Sequence, residues 1–257
     1  MTGIPPASLL QGVNAAVCDA LDIANLRHRS ALHSLQIPTG IDIASIVHKV
    51  IAANWSTGGA SENKDRSRQN WRWTLQPQIG GANRSPEVAL ERSIAAACAA
   101  SGRDDWANQI PVASGLIKGA SDGRRAIDLA QRKDDGSYVL IELKIASDTP
   151  LYAAVELVGY ASLWILARKD RPVTNPALLA AEHIDLRVLA PSAFYAPFDL
   201  QTLERAVHDG VCSLGAAEGV QLSFAFDVLR STDIRTPIPT GAMLLNELAG
   251  RRRLHSG

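Results

Sequence analysis

The stretch Arg125–Ile145, RAIDLAQRKDDGSYVLIELKI, restricts the fold of this chain more than any other. Two runs with alternating apolar residues flank the turn residues Asp134, Asp135 and Gly136, the pattern of an antiparallel hairpin. A three-residue loop built on a type I turn, with Gly136 in the left-handed bulge position, pairs Lys133 with Ser137 and sets Asp128 across from Glu142. A two-residue Asp-Gly turn would set Asp128 against Leu143 and send it to the other face, because a one-residue slip inverts every side chain. The three-residue register is the one expected. Alternation then places Tyr138, Leu140, Glu142 and Lys144 on one face, and Val139, Ile141, Leu143 and Ile145 on the other. Facing carboxylates repel and destabilise a hairpin unless a cation lies between them. Ala126 and Ala130, on the same face as Asp128, leave room for one.

The segments around the hairpin define the architecture. RSPEVALERSIAAACAASG predicts a helix with Ser85 as N-cap, Pro86 at the first helical position and Gly102 beyond its end. Glu87, Leu90, Glu91, Ile94 and Cys98 follow helical steps, so two glutamates share an inward-facing stripe. WANQIPVAS predicts a strand before the hairpin, and Pro111 assigns it to an edge or a bulge. TPLYAAVELVGYASLWILARK predicts a second helix, opened by Thr149 and Pro150 and closed by Arg168 and Lys169. A strand over HIDLRVLAP, a helix near DLQTLERAVHDG and a strand near VQLSFAFDVL complete an α/β sheet layered by helices. Residues 1–60 read as a helical N-terminal segment and 61–84 as a polar entry segment. Residues 85–230 hold the main domain, and 231–257 a loose C-terminal tail.

Composition narrows the function. Lys and Arg total 26, as do Asp and Glu, so the chain is formally neutral, unlike a domain whose whole surface grips nucleic acid. A local site survives that argument, because bound divalent ions offset clustered carboxylates. Cys18, Cys98 and Cys212 lie far apart without metal-ligand spacing, which fits a reducing compartment. No apolar run is expected to reach membrane-spanning length, and the opening MTGIPPASLL has no basic start leading into a continuous apolar run, so a cytoplasmic protein without membrane partners is expected. No Walker or dinucleotide glycine motif is present, which excludes a nucleotide cofactor of those kinds. Glu62-Asn63-Lys64 lies in a polar stretch with no flanking strand and reads as solvated surface. Trp71 and Trp73, beside Arg66, Arg68 and Arg72, read as core aromatics near a polar loop.

A helix glutamate, then Asp128 on one strand and Glu142-x-Lys144 on the next, resembles the PD-(D/E)xK nuclease superfamily with its restriction-endonuclease-like fold. The resemblance covers roughly Ser85 to Lys169 and is similar to junction resolvases in LERSIAAACAASG and to RecB-type nucleases in the helix after the lysine. It implies a mixed β-sheet flanked by helices, with a helix, three strands, a helix and a strand at its core. It also implies phosphodiester hydrolysis on DNA or RNA with Mg2+ or Mn2+. Asp128, Glu142 and the Leu143 carbonyl would be the hard oxygen ligands. Lys144 would orient the attacking water and stabilise the transition state. Glu91 would complete the shell, with Glu87 one turn earlier as the alternative helix ligand. Glu156 and Tyr160, at the spacing where RecB-type members carry Gln-x-x-x-Tyr, are supporting candidates, and Gln109 is a candidate substrate contact. A homodimer joined through the helical segment, and a nuclease-fold module that binds nucleic acid or a protein without cutting, are the rival expectations.

Overall fold

The computed structural model describes residues 8–33, 35–57, 70–79, 83–113, 125–172, 174–229 and 240–255. Gly136 takes a left-handed backbone (φ 79°), and the Lys133 amide donates to the Ser137 carbonyl at 2.8 Å. The pairs Leu129 with Ile141 and Ala130 with Leu140 continue the same spacing toward Asp128 and Glu142. The three-residue turn therefore sets the register, and both acids lie on the face expected.

In chain order the elements are α1 (Val13–Leu21), α2 (Arg29–His33), α3 (Ile43–Thr57), α4 (Pro86–Ala100), β1 (Trp106–Pro111), β2 (Ala126–Arg132), β3 (Tyr138–Leu143), α5 (Pro150–Lys169), a 3-10 turn (Ala177–Ala180), β4 (His183–Pro191), α6 (Ser192–Tyr195), α7 (Gln201–Ala217), β5 (Gln221–Leu229), α8 (Gly241–Ala249) and β6 (Arg252–Arg253). The strands form one six-stranded mixed sheet in sequential order. The first three are antiparallel, β3, β4 and β5 are parallel, and β6 closes antiparallel on β5. Pro111 does lie on the terminal strand. Residues 71–76 run along that strand's outer side, with the Trp71 amide on the Pro111 carbonyl at 2.7 Å and the Asn108 amide on the Thr74 carbonyl at 3.1 Å.

Both crossovers are helical, and right-handed connections between successive parallel strands put α5 and α7 on the same face. There Leu140, Leu186, Phe224 and Phe226 pack in a continuous core with Val13 and Val17 of α1 and Val47 and Ile51 of α3. On the opposite face Ile141 and Leu189 meet Leu90 and Ile94 of α4 and Leu244 and Leu248 of α8. The N-terminal helices thus share the core of the sheet. The boundary expected at residue 60 lies outside the described residues, as do Arg66, Arg68 and the Glu62–Lys64 stretch.

Thr149 caps α5 by accepting the Tyr152 amide at 3.1 Å, and Pro150 follows at the first helical position. Sandwiched between the sheet and α3, this helix is apolar on nearly every side. Contrary to the expectation that no apolar run reaches that length, Pro150–Lys169 is long and apolar enough to cross a membrane; 89% of its most apolar window is buried inside the protein. A second correction concerns the chain end. Residues 241–253 form α8 and β6 rather than a loose tail, because Leu244 and Leu248 bury against α4 and the free edge of β5 accepts a partner, pairing Val228 with Arg252.

Candidate active site

Glu142 stands near the end of β3 and is 5% exposed. Its Oε1 accepts from Lys144 Nζ at 2.8 Å, while its buried Oε2 has no hydrogen-bond partner among the described residues. Lys144 keeps the strand direction by donating its amide to the Leu189 carbonyl at 3.1 Å. Its ammonium also lies 3.4 Å from Glu156 Oε2 on α5, and Glu156 Oε1 in turn receives Arg125 Nη1 at 3.0 Å. Asp128 Oδ2 accepts the Leu143 amide at 2.9 Å, so the aspartate is fastened to the backbone between Glu142 and Lys144.

Charge is crowded here. Burial, followed by the charges of Asp128 and Glu156, pushes the Glu142 carboxyl well above the ordinary range, with Lys144 opposing. Burial likewise pushes Asp128 upward against the pull of Lys144 and the Leu143 amide. For Lys144 burial alone would favour the neutral amine, but Glu142 and Glu156 outweigh it and hold the ammonium charged. Burial first, then the charges of Glu142, Glu156 and Asp128, keep the Tyr160 phenol protonated.

Glu91 reaches the site from the opposite layer. On α4 it is 2% exposed, with Oε1 accepting from Asn108 Nδ2 at 2.9 Å and Oε2 from Gln109 Nε2 at 3.0 Å. Burial and then Asp128 raise its pKa to about 8, against the two amides. Gln109 sits in β1 between Asn108, which pairs with Leu129, and Ile110, which pairs with Ile127, hence opposite Asp128. Its left-handed backbone (φ 47°) is unusual in a strand and costs a non-glycine residue about 1–2 kcal/mol. The observed role of its amide is to hold Glu91.

Glu87, the alternative ligand, serves elsewhere. Its Oε1 accepts the amides of Ile145, Ala146 and Ser147 at 3.2, 3.2 and 3.1 Å and the Ser147 hydroxyl at 2.9 Å, and its Oε2 accepts the Ser85 hydroxyl at 2.6 Å. Burial alone would raise this carboxyl, but those donors prevail and hold it at about 2. Glu87 fixes the loop that follows Lys144. Ser85 keeps the N-cap position, although its hydroxyl serves Glu87 instead of a helix amide.

Residues that sequence reasoning passed over complete the picture. Asn108, fully buried, links Glu91 to the 71–76 segment by accepting the Gln76 amide on Oδ1 at 2.6 Å; its signal is a second amide beside Gln109. Arg125 immediately precedes β2, and nothing local points from it to Glu156. Arg27, in the N-terminal segment, pairs with Asp148 at 2.9 Å, donates to the Tyr152 hydroxyl and lies 3.9 Å over the Tyr152 ring. A cavity of about 50 Å³ separates Leu10, Val13 and Asn14 from Arg125, Glu156 and Tyr160.

Among the described residues no three His, Cys, Asp or Glu side chains form a ready ligand cage. The donor chemistry still suits a hard divalent cation. It comprises an unpartnered buried carboxylate oxygen on Glu142, Asp128 in the facing register position and the main chain of Leu143 between them. With both oxygens held by amides, Glu91 would act through water or after an amide swings away. Comparison with protein-family models, with curated proteins and with solved structures finds no match.

Proposed function

We propose that this chain is a divalent-metal-dependent nuclease of restriction-endonuclease-like architecture that hydrolyses phosphodiester bonds of DNA. The observation that carries the reading is Glu142 Oε2, a buried carboxylate oxygen with no hydrogen-bond partner among the described residues, on an acid that burial and the charges of Asp128 and Glu156 push upward. An orphaned buried acceptor costs about 1–3 kcal/mol, and a cation would remove that cost. The order of one helix, three antiparallel strands, a crossover helix and a parallel strand supports the architecture.

Asp128, Glu142 and the Leu143 carbonyl would hold Mg2+ or Mn2+, with Glu91 as the outer acid. Such an ion lowers the pKa of a bound water and offsets phosphate charge. The remaining steps fall to the protein. Lys144, kept charged by Glu142 and Glu156, donates to a phosphate oxygen and stabilises the charge that develops there. Glu156, anchored by Arg125, positions that ammonium. Gln109 and Asn108 orient Glu91.

A second reading, a non-cutting module on the same fold, is favoured by the engagement of Lys144 with two carboxylates and of both Glu91 oxygens with amides. One assay separates them. Purified protein with Mg2+ or Mn2+ is incubated with single- and double-stranded DNA and with RNA. Cleavage is expected to fall by about 10²–10³-fold in both Asp128→Ala and Lys144→Ala. Equal cleavage by the variants rejects the site, and binding without cleavage by the native chain establishes the second reading.

A further inference from the structure

The sheet carries a second group of charges on the face opposite Glu142. Gln131 pairs with Val139, Val139 with Asp185 and Asp185 with Ser223, which makes one row across β2 to β5. Arg187 lies two residues further along β4, Asp227 four residues along β5, and the short β6 places Arg253 opposite Asp227. Central parallel strands covered on both faces are normally near-continuous apolar runs, so an acid and a base in the middle of β4 break the pattern. Over this row lies an open pocket of about 450 Å³, and Lys133, Asp185, Arg187, Asp227, Arg251 and Arg253 supply its charges.

The pairing inside the pocket is uneven. Asp185 is shared by Lys133 at 2.7 Å, Arg187 at 2.9 Å and the Ser223 hydroxyl. Asp227 lies 4.0 Å from Arg187 and 3.6 Å from Arg251, distances at the limit of an ion pair. The Arg187 side chain is 7% exposed and that of Arg251 16%, so water does little to screen them. Four cations against two carboxylates leave two positive charges in excess. Both excess charges lie at the rim, on the exposed Lys133 and Arg253, above a floor where Arg187 and Arg251 are matched by the two aspartates. A planar or tetrahedral oxyanion at that rim can accept from several N–H groups at once.

We propose that this pocket binds a small phosphate dianion, either inorganic phosphate or the phosphate monoester of a nucleotide. Such a ligand cancels the excess charge, meets Arg187 and Arg251 at the pocket floor, and is approached from the rim by Lys133 and the exposed Arg253. The site is independent of the chemistry at Glu142, which lies on the other face.

The test is calorimetric titration of the full chain in EDTA, which silences any metal at the other face. Inorganic phosphate is one titrant and a nucleoside 5′-monophosphate the other. Saturable binding of either is expected, and the stronger titrant identifies the source of the phosphate. Arg253→Ala and Lys133→Ala, both at the solvent rim, should each weaken binding about tenfold. Asp227→Asn, which removes a competing acid, should tighten it. Absence of saturable binding at millimolar concentration overturns the proposal, as does affinity unchanged in both rim variants.

Discussion

The two faces of the sheet carry charge clusters in opposite balance. Around Glu142, the carboxylates of Asp128, Glu142 and Glu156 face Lys144 and Arg125, and Asp128 and Glu142 are pushed upward. Around Asp185, the cations outnumber the acids. Burial alone would raise the Asp185 carboxyl, yet Arg187, Lys133 and Ser223 outweigh it and hold it below the ordinary range. Both clusters incur the desolvation cost of charge in a sheet interior. The proposed occupants follow the sign of that imbalance, a cation beside Glu142 and a phosphate beside Asp185.

Neutralising one acid in each cluster by the same chemical change should affect the two faces in opposite directions. Asp185→Asn removes a carboxylate already satisfied by three donors and should cost about 1–3 kcal/mol. Glu142→Gln removes a carboxylate that burial and its neighbours disfavour. In metal-free protein at pH 7 it should be neutral or stabilising by about 1 kcal/mol. Urea unfolding of the two variants checks the difference in sign. A Glu142→Gln protein as destabilised as Asp185→Asn would erase the contrast.

A smaller effect appears in the pH dependence. The folded pKa of Glu91 is about 8, above its ordinary value of 4.5. The stability it contributes is therefore complete below pH 4.5 and is lost as pH rises through about 8. Asp185, shifted downward, contributes above its ordinary 3.8 and loses that stability as pH falls. In EDTA the unfolding midpoint should decline between pH 5 and pH 8.5, and the decline should shrink in Glu91→Gln. Manganese should flatten it in the native chain, because the ion offsets the charge that the acids acquire. A midpoint that rises over this range in EDTA contradicts the placement of Glu91.

What was legible in the sequence was local. The Asp134–Gly136 turn fixes one register, and that register brings Asp128 and Glu142 to one face without reference to the rest of the chain. Pro86, Thr149, Pro150 and Gly102 mark helix ends through backbone rules that act within a few residues. The rest depended on contacts between distant segments. Glu87 and Glu91 share a helix stripe, and only the packing of α4 against the loop after Lys144 sends one to backbone amides and the other to Asn108 and Gln109. Arg125 and Glu156 are separated by the whole hairpin and a helix turn. The order of the chain end is not legible because β6 is too short to carry a period; the edge of β5 supplies it.

The proposed nuclease site requires Asp128 and Glu142 to share one divalent ion. Calorimetric titration of Mn2+ into the native chain and into Asp128→Asn tests it most directly. One saturable site in the native chain, lost or weakened at least tenfold in the variant, is the predicted result. Native protein that takes up no manganese, or a variant that binds it equally well, contradicts the account.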